Sequence, residues 1–160
     1  MYKILTVLTL AFILTLNAKA QETAVYNSYK EMVAAAKQEV ELISISDFHT
    51  MYVKAVSVGA KDYTLLDIRT EAEYDAGSIP GAFLMQRGVL ESHLEKDEIW
   101  KAYKHPKPQK DDRIVLYCRS GSRSALAAKS LKMLGYTNVL SLEGGWKGWH
   151  EKYPKLIKNE

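Results

Sequence analysis

The chain has 160 residues, of which 47% are hydrophobic and 26% charged, and its formal net charge is +3. This composition is typical of a folded globular domain and excludes disordered, collagen-like and wholly membrane-embedded chains. Since a domain takes about 100 to 200 residues, the length leaves room for one core. The presence of one cysteine excludes an intramolecular disulfide framework and a cysteine-rich zinc site.

The first twenty residues carry the pattern of an export signal. Lys3 precedes the uncharged stretch Ile4–Leu16, and Ala18 and Ala20 then form the small-residue motif that signal peptidase cuts. At about 1.5 Å per residue this stretch is too short to cross a hydrocarbon core of about 30 Å. We therefore expect cleavage after residue 20, export to the periplasm of a cell with two membranes, and no stable membrane association afterwards.

The mature chain shows no charge pattern that would point to nucleic acid. Cleavage would remove Lys3 and Lys19 and no acidic residue, which leaves twenty basic against nineteen acidic residues. No cluster of Lys and Arg is present, so the electrostatic footprint of a nucleic-acid-binding protein is missing. The four histidines have no spacing suited to a metal site, and we expect neither a metal nor another cofactor.

The first half of the mature chain alternates between helical stripes and short apolar runs. In chain order the predictions are a helix with the stripe Tyr26–Val40, the apolar pair Leu42-Ile43, a helix over 48–56 capped by Ser46-Asp47 and ended by Gly59, and a buried strand over 63–68. Thr70 and Glu73 then fit a capping box, in which each side chain satisfies a backbone N–H group at the start of a short helix.

The second half continues the same alternation. The predictions are a strand over 82–85, helices over 88–94 and 97–104, a strand over 113–117, a helix that Gly135 ends, a strand over 139–142 and an aromatic C-terminal helix. This order predicts an α/β domain with a mainly parallel central sheet and helices on both faces. Ligands of such sheets bind beyond the carboxyl ends of the strands, where Cys118 and the segment Asp67–Arg69 lie.

The segment Cys118–Ser124 joins a buried strand to a helix with small, polar or cationic residues only. Such a turn can point successive backbone N–H groups inward, and together with the helix N-terminus it favours an anion. Beside Arg119 and Arg123 a cysteine is expected as the nucleophilic thiolate. Gly121 permits the backbone turn, and Ser122 or Ser124 is predicted to cap the helix. An inert core thiol is the alternative, but two nearby arginines argue against it.

Four segments of the sequence resemble the single-domain rhodaneses, which are the thiosulfate sulfurtransferase family. These segments are Leu66-Asp67-Ile68-Arg69 with Glu73-Tyr74, Gly77-Ser78-Ile79-Pro80-Gly81-Ala82, Cys118–Ser124, and Leu142-Glu143-Gly144-Gly145-Trp146 with Trp149. The resemblance covers residues 45–153, between an N-terminal helix and lead-in over 21–44 and a tail over 154–160. The chain departs from the family at Ser78, where histidine is common.

The resemblance implies that Cys118 attacks the outer sulfur of thiosulfate or of another sulfane-sulfur donor and releases sulfite. The transferred sulfur would stay on Cys118 as a persulfide until cyanide, a small thiol or a protein thiol accepts it. The substrate-binding residues are then expected to be those of the loop: Arg119, Ser120, Gly121, Ser122, Arg123 and Ser124. The two arginines can neutralise the donor's sulfonate, although either could instead pair with a neighbouring acid.

Three further residues are expected to support this site. By resemblance, Asp67 and Arg69 lie near the same mouth, and hydrogen bonds from their side chains are expected to fix the surrounding loops. Trp146 and Trp149 lie three positions apart and can both close the core, but Trp146 also follows two glycines and is alternatively expected to border the pocket. Glu73 is expected to act as a helix cap.

Two other classes of function are compatible with parts of this pattern. Cysteine-dependent phosphatases and arsenate reductases also hold a thiolate in an anion-binding loop, but they place five residues between cysteine and arginine, whereas four separate Cys118 from Arg123. A persulfide carrier in a relay, or a rhodanese-like module that binds a partner, would share the fold. Inactive relatives typically lose the cysteine, so Cys118 argues against pure binding but does not separate a carrier from an enzyme.

Overall fold

The computed structural model describes residues 24–158, and the predicted export signal lies outside the described residues. Within that range the chain forms five strands and seven helices. They are α1 (Tyr29–Glu39), β1 (Glu41–Ile43), α2 (Ile45–Val58), β2 (Thr64–Asp67), α3 (Glu71–Asp75), β3 (Phe83–Leu84), α4 (Leu90–Leu94), α5 (Asp97–Ala102), β4 (Ile114–Tyr117), α6 (Ser122–Met133), β5 (Val139–Leu142) and α7 (Gly145–Lys152). None of these helices, over residues 24–158, has the length and apolar character that a membrane span requires.

The strands form one sheet in the order β1-β5-β4-β2-β3, and each pairing is parallel. The predicted α/β class with a parallel sheet is therefore confirmed. At the centre lies β4, where Leu116 is opposite Leu66 of β2 and Val115 is opposite Leu140 of β5. Because all the strands point in one direction, the residues that follow β2, β4 and β5 meet at the same edge of the sheet.

Helices cover both faces of the sheet. Successive side chains of a strand point to opposite faces, so each strand supplies both cores. Ile114 and Leu116 face the core beneath α4, α5 and α6, whereas Val115 and Tyr117 face the core beneath α2 and α7. All four side chains are fully buried. Burial on both faces explains why β4 is apolar at every position rather than at alternate ones.

The helix that follows β1 starts earlier than predicted. Ser44, and not Ser46 or Asp47, caps α2: its Oγ accepts the Asp47 backbone N–H at 3.1 Å and donates to the Asp47 carboxylate at 2.6 Å. The sequence Ser-Ile-Ser-Asp offers three candidate caps, and the short strand β1 decides between them because it ends at Ile43. The predicted end of α2 is confirmed, since Gly59 closes it with a φ of 65°.

Segments on both sides of the predicted 45–153 domain take part in packing. At the N-terminal side, β1 forms an edge of the sheet, and α1 packs against α6 with a salt bridge of 2.7 Å between Glu39 and Lys129. At the C-terminal side, Ser78 and Lys158 exchange two backbone hydrogen bonds of 3.0 and 2.8 Å. The packed unit is thus longer than the segment that carries the sequence motifs.

Candidate active site

Cys118 directly follows β4, at the edge of the sheet where the strands end. Its side chain is 1% exposed, and its Sγ accepts the backbone N–H of Gly121 at 3.2 Å. Gly121 has a φ of 88°, and a Cβ there would lie 3.1 Å from the carbonyl oxygen of Leu142. Both the backbone conformation and the close approach favour glycine. The turn therefore directs a backbone N–H group at the sulfur.

Two buried serines lie behind the sulfur. Ser124 Oγ donates towards Cys118 Sγ over 3.8 Å, and Ser141 Oγ of β5 donates to Ser124 Oγ at 2.8 Å. The predicted capping of α6 by Ser122 or Ser124 is wrong, because Gly121 occupies the cap position and no side chain caps this helix. Sequence reasoning missed Ser141, although a serine within an otherwise apolar buried strand is a polar group that needs a partner.

The beginning of α7 holds the outer side of the loop. The backbone N–H groups of Trp146 and Lys147 donate to the carbonyl oxygens of Cys118 and Arg119 at 2.8 and 3.0 Å. These two hydrogen bonds fix the peptide groups that follow Cys118 and Arg119 against α7. Gly145 makes the contact possible, since a Cβ there would lie 2.3 Å from the Cys118 carbonyl oxygen.

Arg123 is paired with an acidic residue, one of the two outcomes that the sequence leaves open. Its Nη1 and Nη2 bind the two carboxylate oxygens of Glu73 at 3.0 and 2.9 Å. Glu73 also completes the predicted capping box with Thr70, which is confirmed. Arg123 first and Thr70 as well lower the pKa of Glu73 to about 2. Glu73 in turn raises the pKa of Arg123.

Asp67 and Arg69 form a second ion pair, which is 0% and 2% exposed and has an Nη2–Oδ2 distance of 2.6 Å. Arg69 Nη2 also donates to the carbonyl oxygen of Gly77 at 2.8 Å, which ties the end of β2 to the segment after α3. The Arg69 guanidinium lies 4.8 Å from the centre of the Trp146 ring and 5.6 Å from that of Tyr117. Burial lowers the pKa of Arg69, but Asp67 outweighs it and the pKa is raised.

Tyr117 is a second supporting residue that sequence reasoning missed. It is the last residue of β4, is fully buried, and its hydroxyl oxygen accepts the backbone N–H of Ile79 at 3.1 Å. Burial, and then the Asp67 carboxylate, raises the pKa of Tyr117. The sequence offered one signal. Tyr117 directly precedes Cys118 in a strand predicted to be buried, and the hydroxyl of a buried tyrosine needs a hydrogen-bond partner.

A cavity of about 490 Å³ opens beside the loop. Its lining residues come from the end of β2, α3, the loop and α7: Arg69, Glu73, Ala76, Arg119, Trp146, Lys147, His150 and Glu151. Arg119 is thus the loop arginine that faces the cavity, whereas Ser120 is exposed and Ser122 is half-buried at the start of α6. Sequence reasoning missed Lys147, His150 and Glu151, which look like ordinary polar residues of a surface helix.

Other features of residues 24–158 do not add to this site. A slightly larger cavity, of about 530 Å³, is lined mainly by α2 and the segment 60–62, together with Arg113, and by none of the candidate residues. No group of three or more His, Cys, Asp or Glu side chains over this range is placed to share a metal ion. The N–H, hydroxyl and cationic groups around Cys118 suit nucleophilic attack by its sulfur.

Comparison with known proteins gives the family context. The sequence profile described as Rhodanese-like domain matches residues 50–152. A mitochondrial protein of Schizosaccharomyces pombe, whose name marks it as a provisional thiosulfate sulfurtransferase, is 35% identical over 116 residues. That match covers 71% of this chain and 82% of the yeast protein. The resemblance drawn from the four sequence segments is thereby confirmed.

Solved structures agree with the fold and carry different functional descriptions. A protein of unknown function from Rhodopseudomonas palustris, described as a possible tyrosine phosphatase, is 30% identical with a TM-score of 0.61, over 81% of this chain and 94% of that one. The human single-domain sulfurtransferase TSTD1 is 29% identical with a TM-score of 0.60, over 69% of this chain and 96% of that one. The surroundings of Cys118 must therefore distinguish the two descriptions.

Proposed function

The chain belongs to the family of rhodanese-like domains, and on that premise we propose that it is a sulfurtransferase that moves sulfane sulfur from thiosulfate to a thiophilic acceptor through a persulfide on Cys118. The observation that carries the proposal is the surroundings of Sγ, which accepts the N–H of Gly121 and lies within reach of the Ser124 hydroxyl. These donors stabilise negative charge on sulfur, and the reaction needs no general base.

In the first half-reaction the Cys118 thiolate attacks the outer sulfur of thiosulfate. A bond forms between Sγ and that sulfur, the S–S bond of thiosulfate breaks, and sulfite leaves with the electron pair. Charge is conserved, because the thiolate and the thiosulfate dianion become a persulfide anion and the sulfite dianion. Arg119 faces the cavity beside the loop and stabilises the incoming dianion. In the second half-reaction the acceptor takes the outer sulfur and Cys118 leaves as a thiolate.

A phosphatase function is disfavoured by the position of Arg123. Phosphatase loops of this type use an arginine to surround a tetrahedral oxyanion, but Glu73 holds both terminal nitrogens of Arg123. The interval between Cys118 and Arg123 is also one residue shorter than in those loops. We therefore expect negligible turnover of an aryl phosphate.

The proposal includes export, which rests on the pattern of residues 1–20 alone. A positive charge, a short apolar stretch and a small-residue motif in this order are typical of a cleaved signal. The mature protein would begin at Gln21, act outside the cytoplasm, and have no stable membrane association.

Intact mass spectrometry tests both parts of the proposal. The full chain is expressed in a host that can export it, purified, and measured before and after thiosulfate, with Cys118→Ser in parallel. We expect a protein that begins at Gln21 and that gains one sulfur atom, whereas Cys118→Ser gains none. A folded, reduced protein that gains no sulfur would contradict thiosulfate as donor and favour a carrier loaded by a protein. Aryl phosphate turnover that Cys118→Ser abolishes would favour the phosphatase.

A further inference from the structure

Arg69 is a buried arginine whose guanidinium group is held by several contacts. Its Nε and Nη2 donate to Oδ2 of Asp67 at 2.9 and 2.6 Å, and Nη2 also donates to the carbonyl oxygen of Gly77 at 2.8 Å. The ring centres of Trp146 and Tyr117 lie 4.8 and 5.6 Å from its guanidinium carbon. The Arg69 side chain is 2% exposed. These contacts fix the guanidinium group in one orientation.

One nitrogen of this fixed group has no partner. A guanidinium carries five N–H groups, two of them on Nη1, and Nη1 of Arg69 forms no hydrogen bond with any residue over 24–158. This nitrogen is not sealed off from solvent, because the Tyr63 hydroxyl is the one fully buried side-chain polar group without a partner in that range. Asp67 binds the edge formed by Nε and Nη2, so Nη1 lies on the far side from the carboxylate.

The cavity beside the Cys118 loop is the space that Nη1 faces. Arg69 lines this cavity of about 490 Å³. At the edge of the sheet the backbone N–H of Ile68 donates to the carbonyl oxygen of Tyr117 at 3.0 Å, and Arg69 and Cys118 each follow one residue of this pair. The arginine and the cysteine therefore leave neighbouring strands side by side, with two unpartnered N–H donors beside the nucleophile.

The charge of Arg69 suits an anion in this position. Burial lowers its pKa, but Asp67 outweighs burial and the pKa is raised, so the guanidinium stays charged. Because the carboxylate lies on the far side from Nη1, the ion pair presents its positive end to the cavity. Hydrogen bonds from a charged donor to an oxyanion are short and strong. A guanidinium that is already fixed also loses little conformational freedom when it binds a ligand.

Resting on the proposed function, we infer that Arg69 is a substrate-binding residue, whose Nη1 donates to the sulfonate oxygens of thiosulfate. Arg119 lines the same cavity and contacts the sulfonate from the exposed side. When Cys118 Sγ attacks the outer sulfur, the S–S bond breaks and the electron pair leaves with sulfite, whose oxygens stay bonded to Nη1. The ion pair with Asp67 thus does more than join neighbouring segments, because it also aims Nη1 at the donor.

The dependence of sulfur loading on thiosulfate concentration tests the inference. Loading is followed by rapid mixing, acid quench and intact mass in the wild type and in Arg69→Lys. Lysine keeps a charge beside Asp67 but has one nitrogen in place of a planar fork. We expect the half-saturating thiosulfate concentration to rise about tenfold, while alkylation of Cys118 by neutral iodoacetamide changes by less than about twofold. Arg113→Lys, at an arginine that pairs with Asp62 at 2.8 Å outside this cavity, is the control and should alter neither.

A purely structural role for Arg69 predicts a different result. The variant Arg69→Lys would then slow sulfur loading and alkylation by the same factor, because the surroundings of the thiol would be disturbed as a whole. That outcome, or an unchanged half-saturating concentration in folded Arg69→Lys, would overturn the inference.

Direct binding gives a second measurement that does not depend on the folding of Arg69→Lys. Cys118→Ser has no thiolate to take up sulfur, so thiosulfate can be titrated into it while the arginine Nε–H signals are followed by nuclear magnetic resonance. We expect the Arg69 signal to shift and to saturate, whereas the Arg113 signal stays in place and sodium chloride at equal ionic strength moves neither. An unmoved Arg69 signal at concentrations that saturate loading of the wild type would contradict the inference. Wild-type protein that never gains sulfur contradicts the proposed function instead, and the titration still shows whether Arg69 binds the anion.

Discussion

The sulfur of Cys118 depends on side chains from two other places in the sequence. Ser124 lies on α6 and Ser141 on β5, yet their hydroxyl groups and Sγ form one chain of contacts, with an oxygen to oxygen distance of 2.8 Å. Both serines are fully buried, so neither hydroxyl can turn to bulk water. The Ser141 hydroxyl therefore polarises that of Ser124 towards the sulfur, because linked hydrogen bonds strengthen one another.

This contact chain predicts a pH-dependent effect of Ser141→Ala. The variant should slow alkylation of Cys118 by iodoacetamide at neutral pH by about two- to tenfold, which corresponds to a hydrogen bond of about 0.5 to 1.5 kcal/mol. At strongly alkaline pH, where the thiol is ionised in either protein, the two rates should coincide. The measurement is the rate of mass gain as a function of pH.

Two comparisons check that interpretation. Ser130→Ala removes another serine of α6, which accepts a hydrogen bond from Arg87 at 3.0 Å and does not contact the sulfur, and it should leave alkylation unchanged. Ser141→Ala combined with Ser124→Ala should be no slower than Ser124→Ala alone, because the two act through one contact. Slowing by the same factor at every pH would show that access to the thiol, and not its ionisation, had changed.

At this scale the sequence could identify Cys118 and its loop but not all of their neighbours. Cys118 to Ser124 could be recognised because the whole loop is contiguous and its composition is unusual for a strand-to-helix turn. Ser141 and Lys147 reach the site through the pairing of β4 with β5 and the contact of α7 with the loop. The local sequence shows that Ser141 needs a hydrogen-bond partner, but not that this partner is Ser124 beside the sulfur.

At the scale of elements, α7 and the Cys118 loop form one unit. The N–H groups at the start of a helix lack partners within the helix, and here two of them bind loop carbonyl oxygens. Gly145 has a φ of 54° and brings its backbone against Cys118. The close approach of two backbones thus explains why the segment Gly144-Gly145-Trp146, which carries part of the family resemblance, has a glycine at position 145.

Gly145→Ala is accordingly expected to damage the site. Its Cβ would meet the Cys118 carbonyl oxygen at 2.3 Å, and backbone atoms cannot move aside as a flexible side chain can. We expect a loss of about 1 to 3 kcal/mol in the free energy of unfolding and a much slower gain of sulfur from thiosulfate. Urea denaturation and the mass assay measure the two effects.

Gly135→Ala separates the effect of backbone strain from the effect of the steric contact with Cys118. Gly135 has a similar conformation, with a φ of 86°, but a Cβ there would have no atom within 4 Å. This variant should therefore lose stability through backbone strain while it gains sulfur at the normal rate. Normal sulfur loading in Gly145→Ala would mean that the contact between α7 and the loop is dispensable.

At the scale of the whole molecule, the Glu73–Arg123 pair joins α3 to α6 across fifty positions of the sequence. The folded protein holds the pKa of Glu73 at about 2, well below its usual value, chiefly through Arg123. A carboxyl whose pKa is lower in the folded state than in the unfolded state stabilises the protein at pH values above the unfolded-state pKa. This contribution is lost as the pH falls towards the folded-state pKa.

Glu73→Gln should therefore change the acid dependence of stability. At pH 7 the variant should be less stable than the wild type by on the order of 1 kcal/mol, since the pair is partly exposed and solvent screens it. The difference should shrink as the pH falls from about 4.5 to about 2. Urea denaturation across this range measures it, with Glu98→Gln at an exposed position of α5 as the control. A difference that stays constant with pH would contradict the assignment.

The sequence also predicted the overall architecture better than it predicted the arrangement within it. Alternating apolar runs and helical stripes are sufficient for the parallel sheet with helices on both faces, because the runs that contain β2, β4 and β5 are largely apolar and every residue of these three strands is buried. The short β1 and the cap at Ser44 were not recognised, because three residues carry too little pattern to show that they pair with β5.

The position of β5 between β1 and β4 sets the order in which the molecule can be completed during synthesis on the ribosome. The first strand to emerge has no neighbour until the chain has grown past Leu142, and the backbone contacts that hold Cys118 require Gly145 and Trp146, which emerge later still. A nascent chain therefore carries its nucleophile long before it carries the surroundings that would make it reactive. The thiol gains its chemical environment in the last steps of chain growth, when the sheet can close around its final strand.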